Sequence, residues 1–242
     1  MIEAENLGKH FRAPHGGTLR AVNGVNFRCQ PGQVYGLLGA NGAGKSTTLR
    51  MLATLLEPTS GSARVAGHDI RRDSAAVRSN IGFLSAATAL YGRLTAREMT
   101  EYFGRLHGME GETLRARVDD VFARLEIDFG ERRCDTLSTG MKQKVSIART
   151  LVHDPPVMIF DEPTLGLDVM TARAIVGFIR ECRAHGKTVL FSTHVMSEAE
   201  KLCDVVGIIH QGRLLAEGTL AELRGRYRQQ DLEDIVVRAV ES

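Results

Sequence analysis

The chain has no apolar run long enough to cross a bilayer. A membrane-spanning helix needs about 20 consecutive apolar residues, whereas the longest stretches here, 157–160 and 205–209, are strand-sized. Cysteine is sparse: Cys29, Cys134, Cys182 and Cys203 are scattered without CxxC spacing. That pattern argues against a zinc site or a disulfide framework, and reduced, partly buried thiols are expected. An excess of either charge is also missing. With 31 Lys and Arg against 29 Asp and Glu, the formal net charge is +2, which gives no special attraction to nucleic acid or to an anionic membrane surface. The first five residues carry no basic-then-apolar export signal, and neither an internal repeat nor a low-complexity segment stands out. A cytoplasmic location is expected, with any service to a membrane performed by docking to another protein.

What is present is ordinary in amount and informative in arrangement. Hydrophobic content of 43% and charged content of 25% suit a globular protein. At 242 residues, one core with a subsidiary lobe fits better than two full domains. Residues 21–27 alternate apolar and polar, 34–38 are nearly continuously apolar, and 62–65 lead into a turn at Gly67 and His68. Helical spacing then takes over: Met99, Tyr102, Phe103 and Leu106, followed by Leu114, Val118, Val121, Phe122 and Leu125. Met141, Val145, Ala148, Leu151 and Val152 mark another helix, which Asp154-Pro155-Pro156 ends. Strand-sized runs return at 157–160 and 188–191 around a helix at 171–184, an alternation that implies a parallel sheet flanked by helices. Residues 206–210 and 213–217 flank Gln211-Gly212 as a hairpin, and 220–242 read as charged and weakly helical.

The segment Gly39-Ala40-Asn41-Gly42-Ala43-Gly44-Lys45-Ser46-Thr47 reads GxxxxGK[ST] and directly follows the apolar run 34–38. A strand that turns through glycines into a helix aims successive backbone N–H groups, and the positive end of the helix dipole, at one point. A polyphosphate is the natural occupant. Gly39, Gly42 and Gly44 leave no Cβ between backbone and phosphate and accept positive φ. Lys45 is expected on the β- and γ-phosphates, the Ser46 hydroxyl on Mg²⁺, and Thr47 on the α-phosphate. The pattern predicts binding of a nucleoside triphosphate.

Further along, the run 157–160 ends in Asp161 and Glu162. Carboxylates at the C-terminal edge of a parallel strand lie where such sheets bind ligands. Asp161 is expected to hold Mg²⁺ opposite Ser46, and Glu162 to orient and deprotonate the attacking water. In the stretch LSTGMKQKV at 137–145, Ser138 can cap a helix and Gly140 permits close backbone approach, a second anion site. Read alone, that stretch is equally a capped helix with a lysine-rich solvent face. His194 follows another strand run and would reach a γ-phosphate from its C-terminal edge. Phe11 offers a π-face on which a base could stack, or a core contact.

Together these residues resemble the ATP-binding-cassette family, specifically the nucleotide-binding subunit of a transporter, over about residues 2–224. The resemblance implies an α/β fold: a P-loop NTPase core of mostly parallel sheet flanked by helices, with an N-terminal antiparallel β-subdomain. A helical subdomain would be inserted at about residues 87–155, and a short charged tail would occupy 225–242. It makes residues 39–47 the phosphate loop, 137–141 the signature, Asp161 the metal-site acid, Glu162 the catalytic base, His194 the switch histidine and Phe11 the adenine-stacking aromatic. Residues 166–168 fall at the family's subunit-contact loop. ATP and Mg²⁺ are the implied cofactors. Two such subunits, identical or related, would pack head to tail and close each ATP between the phosphate loop of one and the Ser138 and Gly140 of the other. A separate integral-membrane permease would be the partner, with this chain peripheral on the cytoplasmic face and no nucleic acid bound.

Two departures from the family pattern stand out. Thr139 and Met141 replace a glycine and the glutamine of the usual LSGGQ, leaving Ser138 and Gly140 intact. Ala86 follows the strand-like 81–85 where the family has a glutamine that assists Mg²⁺ and water and links the site to the membrane partner. The loop at 86–98 and the late acidic residues at 231–234 are similar to single-cassette exporters of the sodium- or drug-export type. A soluble or regulatory ATPase acting as a nucleotide-gated switch is the alternative reading. Too few residues separate Lys45 from Leu137 for the long coiled coils of repair and chromosome ATPases.

Overall fold

How apolar residues are spaced sorts the strands of this chain into two sheets. The structure, a computed structural model, describes residues 1–12, 16–85 and 89–241; Ala86 lies outside the described residues. In chain order the first half contains β1 (Ile2–Arg12), β2 (Thr18–Cys29), β3 (Val34–Leu38), α1 (Lys45–Leu52), β4 (Ser60–Val65), β5 (His68–Asp69), α2 (Ser74–Ser79) and β6 (Ile81–Ser85). β2 is one-sided: Val22, Val25, Phe27 and Cys29 are buried and most residues between them are not. It forms an antiparallel sheet of order β2-β1-β4-β5, the arrangement in which one face can stay wet.

The second half holds α3 (Ala96–Leu106), α4 (Gly111–Arg124), α5 (Thr139–Leu151), β7 (Val157–Asp161), α6 (Val169–Ala184), β8 (Thr188–Thr193), α7 (Met196–Leu202), β9 (Val205–His210), β10 (Arg213–Gly218), α8 (Leu220–Tyr227) and α9 (Leu232–Glu241). β3, β7 and β8 are buried at every residue, as strands covered on both faces must be. They lie inside a six-stranded sheet of order β10-β9-β3-β8-β7-β6. Its neighbours run parallel except for the β9–β10 hairpin. One apolar layer, including Leu7, Val25, Tyr35, Leu37, Leu49 and Val65, joins the two sheets around α1.

Helices α3, α4 and α5 form the insert between β6 and β7. Thr95 starts α3 with a capping box: its hydroxyl accepts from the Glu98 amide at 3.1 Å while Glu98 accepts from the Thr95 amide at 2.8 Å. The buried stripe of α3 is Ala96, Met99, Thr100 and Gly104. Tyr102 and Leu106, which share the helical spacing of Met99, are instead 40% and 62% exposed. Gly104 explains the rotation, because a Cβ there would overlap the Leu114 side chain, so α3 meets α4 across that glycine. His107 and His153, just past the ends of α3 and α5, stack with ring centroids 3.5 Å apart. The His153 Nε2 is bonded to the Ile81 carbonyl at 3.0 Å. Burial pushes His153 down to about 4 and lowers His107 as well.

The C-terminal stretch expected as a charged tail is folded onto the body instead. Leu232, Ile235 and Ala239 of α9 are buried in a third cluster with Val206, Ile208 and Leu223. Their three- and four-residue spacing puts one apolar stripe on the helix, with the acids on its other side.

Candidate active site

β3, β8 and β7 are neighbours, and their parallel C-terminal ends deliver the next residues to one edge of the sheet. From β3 come residues 39–47, from β7 Asp161 and Glu162, and from β8 Ser192, Thr193 and His194. Segments far apart in sequence therefore converge for a topological reason. A cavity of about 150 Å³ at this edge is lined by Ala21, Asn41, Gly42, Gly44, Lys45, Ser46, Thr47 and Glu162.

The loop of residues 39–47 enters α1 through Gly44 at φ 109°, with no side-chain cap and no acid in the first turn. Uncapped N–H groups at a helix start favour an anion. Glycine is required at both ends of the loop for a steric reason. A Cβ on Gly44 would stand 2.5 Å from the Ala21 carbonyl, and one on Gly39 would overlap the Ile209 carbonyl. The loop is wedged between β2 and β9.

Lys45 is 4% exposed. Its ammonium donates to the Gly39 and Ala40 carbonyls at 2.7 and 3.2 Å and pairs with Glu162 Oε1 at 3.1 Å. The other Glu162 oxygen lies 3.1 Å from His194 Nδ1. Glu162 thus stands between Lys45, with which it forms an ion pair, and the His194 ring, whose Nδ1 makes no hydrogen bond among the described residues. Its backbone is left-handed, φ 48°, a conformation that costs a non-glycine residue roughly 1–2 kcal/mol. The Glu162 amide offsets this by donating to both the carbonyl and the hydroxyl of Ser192, at 3.2 and 3.1 Å.

Asp161, 5% exposed, accepts at Oδ1 from the Ser46 hydroxyl at 2.8 Å and from the Ser192 hydroxyl at 2.9 Å. A buried carboxylate beside a hydroxyl, both hard oxygen donors, fits Mg²⁺. Ser192 was not read from the sequence as a site residue. The signal was there: a serine behind the apolar run Val189–Phe191 of a buried strand must find partners.

The other expected site residues lie elsewhere. Phe11 is 38% exposed on β1 with the Lys9 ammonium 5.3 Å from its ring centre. Ser138 caps α5, accepting from the Met141 amide at 3.3 Å. Gly140 faces α6, where a Cβ would stand 3.0 Å from Thr171 Oγ1. None of these three lines the cavity at residues 41–47. Asp168 caps α6, accepting from the Met170 and Thr171 amides at 2.9 and 3.0 Å, which starts that helix two residues before the expected position.

Comparison with known proteins gives the same pattern a context. The family model described as ABC transporter matches residues 22–165. The chain is 44% identical over 219 residues to the ABC transporter ATP-binding protein NatA of Bacillus subtilis (strain 168), covering 90% of this chain and 89% of that one. It is 43% identical over 224 residues to Nod factor export ATP-binding protein I of Paraburkholderia xenovorans (strain LB400), covering 92% and 72%. Among solved structures, the dimeric post-hydrolysis state of the ATP-binding cassette MJ0796 bound to ADP and Pi is similar at TM-score 0.81 and 27% identity, over 90% of this chain and 98% of that one.

Proposed function

The chain belongs to the ABC transporter family, and from that premise we propose that it is the ATP-hydrolysing subunit that energises a membrane exporter. The observation that carries this reading is the convergence of Lys45, Ser46, Asp161, Glu162 and His194 on one sheet edge. The names of two relatives, one of them an export protein, support transport and export.

In this reading Lys45 neutralises charge on the β- and γ-phosphates, and residues 39–47 cradle them with backbone N–H groups. Ser46 and Asp161 would hold Mg²⁺, whose chemistry is to neutralise charge on the phosphate oxygens. Glu162 takes the proton of the attacking water, and His194 holds the Glu162 carboxylate from the side opposite Lys45. Phe11 stacks on the base. Because Ser138 and Gly140 lie outside the phosphate-loop cavity, they serve the nucleotide of a second subunit, and ATP closes the pair. The solved dimer of a similar cassette supports that arrangement. No described helix is long and apolar enough to cross a membrane; a separate permease supplies the path, and the chain works on the cytoplasmic face.

Sedimentation tests the reading. Glu162→Gln is expected to form a dimer with ATP and a monomer with ADP, because a ligand that binds only the closed form shifts the equilibrium by mass action. Adding Ser138→Arg should abolish the dimer while the monomer still folds. A mass that ignores ATP, or a dimer that tolerates the arginine, overturns the two-subunit model for this chain alone.

A further inference from the structure

Ser192 is fully buried at the C-terminal end of β8. It is the register partner of Asp161 on β7 and of Leu37 on β3. Register partners in a parallel pair project to the same face, so the Ser192 and Asp161 side chains stand side by side. The Ser192 hydroxyl has one proton, and that proton goes to Asp161 Oδ1 at 2.9 Å. Its lone pairs accept from the Glu162 amide at 3.1 Å. One hydroxyl therefore touches both acids, the side chain of the first and the main chain of the second.

β8 buries three hydroxyls, of Thr188, Ser192 and Thr193, and only that of Ser192 bonds to both Asp161 and Glu162. Strands of this kind are filled by Val, Ile and Leu, and the preceding residues Val189, Leu190 and Phe191 obey that rule. A buried hydroxyl with both partners in the candidate site is instead accounted for by what it holds. Asp161 Oδ1 takes two charge-assisted bonds, from Ser46 on α1 and Ser192 on β8, which fix the carboxylate from two sides. Glu162 needs an anchor because its left-handed φ of 48° is strained, and its amide is shared between two Ser192 oxygens.

We propose that Ser192 is a positioning residue of the hydrolytic site, setting the Asp161 carboxylate and the Glu162 backbone with a single buried hydroxyl. The proposal rests on the ATP-hydrolysing reading above. It assigns Ser192 no contact with nucleotide or water; it acts through the two acids.

Threonine and valine at position 192 separate the hydroxyl from the volume, because they share a shape and suit a strand equally. Ser192→Val is expected to lower kcat about tenfold to a hundredfold and to raise the Mg²⁺ concentration for half-maximal rate, whereas Ser192→Thr stays within about threefold of the parent. ATP affinity without Mg²⁺ should be the same in all three proteins. A second readout needs neither metal nor nucleotide: the Glu162 amide should exchange with solvent about tenfold faster in the valine protein than in the threonine protein. Ser192→Ala adds no bulk and repeats both measurements if the branched variants do not fold.

Equal kcat and equal Mg²⁺ dependence for threonine and valine, or for alanine and the parent, overturn the proposal. If the parent protein itself releases no phosphate from ATP, the functional reading fails. The amide exchange then still decides whether Ser192 holds Glu162, with equal exchange in the variants overturning that.

Discussion

The Lys45 ammonium lies 3.1 Å from one oxygen of Glu162, and His194 Nδ1 lies 3.1 Å from the other. This relationship joins the group expected on the phosphates to the group expected on the water. Replacing each should separate two functions. Lys45→Ala removes charge from the phosphate cradle, so ATP affinity and turnover should both fall. Glu162→Gln keeps the shape and removes the base, so ATP should stay bound while turnover drops about 10²–10⁴-fold. Nucleotide affinity and phosphate release measured on both variants check this, and hydrolysis at the parent rate by the glutamine variant would falsify the base assignment.

Acid should weaken the fold through His153. Burial depresses its folded value from 6.5 to about 4, so between those values the unfolded chain takes a proton that the folded chain refuses. The contribution to stability is whole above 6.5 and is lost as pH falls toward about 4, at up to about 1.4 kcal/mol per pH unit for one site. The groups facing the imidazole are His107 and Lys187, which oppose its charge, and Asp154, which favours it. His153→Phe keeps a ring against His107 and cannot titrate. Urea midpoints across that pH window should fall less steeply for the phenylalanine protein, although it starts lower by the bond to the Ile81 carbonyl. Parallel curves would remove His153 as the cause.

Helix α9 should behave as core. Ile235 is fully buried against the β9 side of the sheet, and Ile235→Ala is expected to cost about 2–5 kcal/mol. Val237, 55% exposed on the same helix, should tolerate alanine with little change. Denaturant unfolding of the two variants gives the comparison; equal and small effects would mean that this helix is not part of the folding unit.

Much of this was legible in the chain. The buried runs that became β3, β7 and β8 name the sheet without any tertiary information, and the GxxxxGK[ST] pattern behind β3 marks the loop that enters α1. What escaped depends on groups that meet only in three dimensions. Ser192 looks like a strand residue until Asp161 and Glu162 are placed beside it. The left-handed backbone of Glu162 has no marker such as glycine. Tyr102 and Leu106 keep helical spacing but face outward, because Gly104 turns α3 toward Leu114. The apolar stripe Leu232, Ile235 and Ala239 was readable, but the surrounding charge obscured it.

β3, the strand that leads into residues 39–47, takes both of its neighbours, β8 and β9, from the last third of the sequence. On a ribosome, β3 leaves the tunnel with its edges unpaired and waits for more than half the chain before either partner exists. The amino terminus, already paired with β2 and β4, gains a further tie from this late segment, the Met1 ammonium donating to the Thr188 hydroxyl at 3.0 Å. Nascent chains of this protein therefore carry residues 39–47 well before the sheet edge that mounts them, which can assemble only once β8 and β9 have been made.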